Sequence, residues 1–135
     1  MRVGISGSRS IVDAGWVSNH LDAILPSLAD RSGNGIVLMA GGAVGCDTLV
    51  QGYARAKKLD LVLFKPYHMV DPKTPYNPKF FFARNKQIID NSDFVIIMWD
   101  GKSSGTRWTM EYAERTKKDK MVRYLYEPKP YGMPE

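Results

Sequence analysis

Short apolar runs alternate with longer stretches of helical periodicity from one end of this chain to the other. Residues 2–5, 36–39, 61–64, 94–99 and 121–125 are apolar runs of strand length. Between them, residues 12–29, 45–58, 79–91 and 105–118 place apolar side chains three to four positions apart, the spacing of an amphipathic helix. In the first of these, Val12, Trp16, His20, Ile24 and Leu28 form the expected stripe, and Pro26 is expected to kink the helix or end it early. In the second, Leu49, Tyr53 and Ala56 share one side. Ser32 to Gly35 reads as turn chemistry. Residues 65–78 hold Pro66, Pro72, Pro75 and Pro78 and read as an irregular loop of a length that is often functional. Strands alternating with helices predict an α/β fold with three layers around a mostly parallel sheet of about five strands. One domain spans residues 1–126, followed by a Pro- and Gly-containing tail at 127–135.

Three of the apolar runs lead directly into glycine-rich segments. They are Gly4 to Ser10, Gly41 to Asp47 and Asp100 to Thr106. In an open parallel sheet the C-terminal ends of the strands share one edge, so three such turns line one cleft. The helices that follow aim free N–H groups into it, an arrangement suited to phosphate.

Composition narrows the class. A chain of 135 residues suffices for one domain with a real core. No apolar run approaches the roughly 20 residues of a membrane span, so no membrane partner is expected. The N-terminus is strand-like and lacks the apolar core of a signal peptide. A single cysteine, Cys46, excludes an internal disulfide or a multi-cysteine metal site, and a reducing, cytoplasmic setting is the simplest reading. The net charge of +5 favours acidic partners, nucleotides and nucleic acid among them. Lys117, Lys118, Lys120 and Arg123 read more simply as a solvated edge near a helix C-terminus.

Each segment offers candidate chemistry beside a structural alternative. Gly7, Ser8 and Arg9 bring small residues, a hydroxyl and a guanidinium that pairs with phosphate, or else a tight turn. Gly41, Gly42 and Ala43 let the backbone turn beneath a ligand, and Gly45 lets the next helix start close to the sheet. Asp47 in that helix's first turn binds a ribose hydroxyl or caps the helix. Cys46 reads as a small core residue, with no adjacent base to activate it. Arg84 and Asn85 follow Phe80, Phe81 and Phe82, which read as core more than as a stacking platform. Lys102, Ser103, Ser104, Gly105 and Thr106 combine a cation with a capping hydroxyl and free amides. Glu111, five residues on, is a nucleophile or base for a bound sugar, or an exposed helix glutamate. His20 and His68 lack metal-ligand spacing, and no metal or cofactor is called for.

Taken together, Gly7 to Ser10, Gly41 to Asp47, Arg84-Asn85 and Ser103 to Thr106 resemble, in order, the landmarks of the SLOG superfamily of Rossmann-like proteins. That group includes the DNA-processing protein A family and the cytokinin-activating phosphoribohydrolases. The similarity is greatest to its small stand-alone bacterial and phage members and covers residues 1 to about 123. The resemblance implies a nucleotide-derived ligand over the strand ends. Gly7, Ser8 and Arg9 would form one wall and Gly41, Gly42 and Asp47 the floor. Arg84 and Asn85 would approach from the third helix, and Ser104, Gly105 and Thr106 would take the phosphate. It also implies a homo-oligomer.

The chain departs from the phosphoribohydrolase pattern P-G-G-x-G-T-x-x-E. The Pro-Gly-Gly is missing, and Thr109 stands where those enzymes carry their glutamate. Glu111 lies two residues further on, about 200° around an unbroken helix. The leading expectation is therefore a nucleotide-binding sensor or sequestering module. The alternatives are an N-glycosidic hydrolase using Glu111 or Asp47, and a single-stranded DNA binder.

Overall fold

The computed structural model describes residues 1–33, 35–42 and 45–125, with only the backbone of His68. The expected tail at 127–135 and Ala43 lie outside the described residues. Five strands form one sheet: β1 (Arg2–Gly7), β2 (Val37–Gly41), β3 (Asp60–Phe64), β4 (Phe94–Trp99) and β5 (Lys120–Tyr124). Their spatial order is β3-β2-β1-β4-β5, and every neighbouring pair is parallel. The helices are α1 (Ala14–Ser32), α2 (Cys46–Lys57), α3 (Tyr67–Val70), α4 (Lys79–Asp90) and α5 (Ser104–Arg115).

Alternation along the strands divides the core in two. Val3 and Ile5 of β1, with Phe94, Ile96 and Met98 of β4, face α1 and α2. Val95 and Ile97 face the other way, against Ile89 of α4 and Ala113 of α5. All six residues of β4 are buried, as expected for a central parallel strand covered on both faces. Gly4 lies directly beneath α4, where a Cβ would collide with Ser92 and Ile88.

The structure corrects four local expectations. Helix α1 runs to Ser32 and is not ended by Pro26. Pro26 is on the exposed side, so water can satisfy the carbonyl it leaves unpaired, while Leu21, Ile24, Leu25 and Leu28 hold the buried side. The stripe also shifts: Asp13 caps α1 by accepting the amide of Trp16 at 3.0 Å, which leaves Val12 outside the helix and 76% exposed. In α2 the buried row is Cys46, Val50, Tyr53 and Ala54, and Ala56 faces solvent. The proline-containing loop holds the single turn α3.

The basic run after α5 has structural work. Lys118 Nζ donates to the Ser92 carbonyl at 2.6 Å, and Lys120 pairs with Glu114 at 3.5 Å. No helix among the described residues is long and apolar enough to cross a membrane.

Candidate functional site

Strands β1 and β4 are neighbours, but the helices that follow them pack on opposite faces of the sheet. Their connections therefore diverge and leave a crevice at the switch point. A cleft of about 510 Å³ opens there. Gly7 at the end of β1, with Arg9 and Ser10 of the β1–α1 loop, forms one wall, and the first turn of α5 with the loop before it forms another. Asp47 of α2 and Arg84 of α4 contribute to the lining between them, and Tyr76, Phe81 and Phe82 add an aromatic side.

Asp100 organises the β4–α5 loop. Its Oδ1 accepts the amides of Lys102 and Ser103, each at 2.8 Å, and its Oδ2 accepts the Ser10 hydroxyl at 2.6 Å. Burial by itself would raise the Asp100 pKa. The hydrogen bonds from Ser10, Ser103, Lys102 and Ser8 outweigh it and hold the carboxyl below its ordinary value. Ser103 caps α5, its hydroxyl oxygen accepting the Thr106 amide. The amides of Ser104 and Gly105, at the positive end of the helix dipole, have no acceptor among the described residues.

Ser8 is 1% exposed and ties these loops together from beneath. Its Oγ lies 3.1 Å from Thr106 Oγ1 and accepts the Asp100 amide at 3.1 Å. Its carbonyl accepts the amides of Ile11 and Cys46. Gly45 is required on two grounds: its φ is +82°, and a Cβ would strike the backbone of Arg9.

Arg84 is the most constrained charge in the cleft. It is only 5% exposed, and its Nη1 lies 3.8 Å from Asp47 Oδ2, itself on a nearly buried side chain. Its Nε donates to Asn85 Oδ1 at 2.8 Å, Asn85 Nδ2 donates to Thr109 Oγ1 at 3.0 Å, and Thr109 donates to the Gly105 carbonyl at 3.0 Å. That chain links the guanidinium to the first turn of α5. A Cβ at Gly41 would occupy the space of the guanidinium. Nη1 has no hydrogen-bond acceptor among the described residues. Burial pulls the Arg84 pKa below its ordinary value, Asp47 opposes the shift and Arg9 adds to it. The Arg9 guanidinium carbon lies 4.6 Å from the Phe81 ring centroid and that of Arg84 5.6 Å, so two cations converge on one ring.

Of the residues singled out in the sequence, Gly7, Arg9, Asp47, Arg84, Asn85, Ser103, Ser104, Gly105 and Thr106 line this cleft. Ser8 lies under it. Gly41 lies behind Arg84, and Gly42 stands beside Lys65. Lys102 and Glu111 are exposed and do not line it, and Thr109, in the enzymes' glutamate position, is fully buried. Cys46 is a core residue whose thiol pKa is pushed up by burial and by Asp47, so it is not a ready nucleophile.

The three phenylalanines are not core. All are half-buried, Phe81 and Phe82 line the cleft, and Phe82 packs on Trp108 at 5.0 Å. Three successive helical residues fan out over about 200°, so they cannot all face one core, a signal the sequence did contain. Sequence reasoning also passed over Ser10 and Asp100. An Asp-Gly just before a helix cap is the usable signal for Asp100, because its side chain accepts amides two and three residues on.

Among the described residues no cluster of His, Cys, Asp or Glu is arranged to hold a metal ion. No curated protein matches the sequence significantly. Two solved structures share the fold. DNA processing protein A from Helicobacter pylori, described for its single-stranded DNA binding mode, is 24% identical with a TM-score of 0.68, over 95% of this chain and 68% of that one. DNA processing protein A (DprA) from Streptococcus pneumoniae is 19% identical with a TM-score of 0.70, over 90% of this chain and 49%, about half, of that one. A family model matches residues 1–68, the segment that builds β1 to β3 and two of the glycine turns, and by it the chain belongs to the YAcAr (YspA, cpYpsA-related) SLOG family.

Proposed function

We propose that the switch-point cleft binds a nucleotide or nucleotide-derived ligand by its phosphate, as a sensor or sequestering module. The observation that carries this reading is the pair of amides of Ser104 and Gly105, without acceptors among the described residues, in a cleft also lined by the cationic side chains of Arg9 and Arg84. An anion in the cleft accepts hydrogen bonds from those amides and meets the positive charge of the two guanidinium groups. The aromatic side supports a ligand with a flat ring beside its anion. Family membership agrees with this reading.

Hydrolysis of an N-glycosidic bond is less well supported. Glu111 stands outside the cleft, Asp47 is paired with Arg84 and Asp100 holds its own loop. A single-stranded nucleic acid is the second reading. The Arg9–Phe81 contact at the cleft favours it, because stacked rings with guanidinium groups suit unpaired bases. The Helicobacter pylori relative of the same fold supports it as well.

Native mass spectrometry of the protein with a panel of mononucleotides and a short single-stranded oligonucleotide tests both. Ser104 is the first residue of α5, where proline is tolerated, and Ser103 already has an extended ψ of 122°. Ser104→Pro therefore removes one phosphate-facing amide without breaking the helix. An intact mononucleotide retained by the native chain, with affinity roughly tenfold lower in Ser104→Pro, is the expected result. Equal affinity in the variant overturns the phosphate assignment. Oligonucleotide binding that falls steeply with salt, without mononucleotide binding, selects the second reading. Release of free base makes the protein a hydrolase.

A further inference from the structure

The two edges of the sheet are built differently. β5 carries Lys120 and Arg123 within the strand, charges of the kind that discourage another strand from pairing. β3 carries none between Asp60 and Lys65: its centre is Leu61-Val62-Leu63-Phe64. Its inner side pairs with β2, and no described residue pairs with its outer side. Val62 and Leu63 are 41% and 38% exposed although they point to opposite faces, so it is the strand's edge that lies open and not one face. Just beyond its C-terminal end, α3 presents Tyr67, Met69 and Val70, each at least half exposed. No residue of β3 lines the switch-point cleft.

We propose that a second copy of this chain covers this edge, β3 pairing antiparallel with β3 about a two-fold axis near Val62. The order of charges along the strand argues for the second copy. Asp60 opens the strand and Lys65 follows its last residue, both exposed. An antiparallel self-pairing centred on Val62 sets Asp60 opposite Phe64 of the other copy, beside that copy's Lys65. The symmetry repeats the contact at the far end, so opposite charges meet twice. A parallel pairing would set like charge against like. The arrangement is isologous and closed, which yields a dimer and not a filament. It joins two five-stranded sheets into one, pairs the open backbone groups of Asp60 to Phe64, and covers Val62 and Leu63 on both faces. The helix α3 extends the contact, since five residues of strand are a small interface by themselves.

Sedimentation velocity over a concentration series tests the pairing, with circular dichroism as the check on folding. The native chain is expected to sediment as a dimer. Val62→Lys, at an exposed edge position, is expected to give a folded monomer. Asp60→Lys and Lys65→Asp are each expected to weaken the dimer at least tenfold, and the double exchange to restore it. Hydrogen exchange should show protection of the outward-facing amides within residues 60–64 that Val62→Lys abolishes, while those bonded to β2 stay protected. A native chain that is monomeric throughout the series overturns the proposal. So does a dimer that survives Val62→Lys, or a double exchange that fails to restore association.

Discussion

Removing a guanidinium from water costs several kcal/mol, and a single carboxylate at 3.8 Å returns only part of it. Arg84 accepts that cost although Nη1, which faces Asp47 Oδ2 at 3.8 Å, has no hydrogen-bond acceptor among the described residues. Arg84→Met is therefore expected to lower stability by about 3 kcal/mol, because it removes the cation paired with a nearly buried carboxylate. Adding Asp47→Asn should recover most of the loss. Urea unfolding of the native chain and the two variants measures both steps, and a single-variant loss below about 1 kcal/mol would show that other groups suffice for Asp47. Asp100 gives a prediction in pH. Its pKa is held below the ordinary value by Ser10, Ser103, Lys102 and Ser8, against the opposing effect of burial. Its contribution is thus complete above the ordinary aspartate range and is lost as pH falls through the lowered folded value. Asp100→Asn should be less stable than the native chain at neutral pH, and the gap should narrow in acid below that range. Denaturant unfolding at several acidic pH values checks this, and a gap independent of pH would refute the linkage. At this scale the sequence displayed the residue types but not their roles. Ser8 and Arg9 are adjacent in the chain, yet one is sealed beneath the cleft and the other lies against Phe81.

The elements were legible wherever burial is periodic. The run Phe94 to Trp99 reads as a strand and is one, residue for residue, because a central parallel strand is apolar on both faces. The four long helices were found, with ends displaced by a few residues where caps decide: Asp13 and Gly33 set the limits of α1. The single turn α3 was not legible, since four residues carry no period and prolines surround it. Pro26 misled because proline's cost was weighed without the packing of its neighbours. Four apolar side chains around it are buried, and that packing keeps the helix continuous past the missing hydrogen bond. Its cost should still be measurable. Pro26→Ala restores a donor on the exposed side of α1 but frees the unfolded chain, so a net gain of about 1–2 kcal/mol is expected. A thermal melt reads this directly, and an unchanged or lower midpoint would mean that the helix has already adapted to proline.

For the whole molecule, the sequence by itself determined the alternation of strands and helices, the parallel sheet, the three glycine turns at strand ends and the resemblance to the SLOG superfamily. Each of these follows from local pattern: which side chains avoid water, and where the backbone must turn tightly. The order β3-β2-β1-β4-β5 was decided only in three dimensions, and with it the adjacency of the β1 and β4 loops. So was the meeting of Arg84 with Asp47 across 37 positions of chain, and the placing of Glu111 outside the cleft that Arg84 lines. The physical reason is that local periodicity tells which side of a helix is buried, but not which other element buries it. Crossovers of long sequence separation choose that partner, and the partner determines whether a charge is solvated, paired or buried.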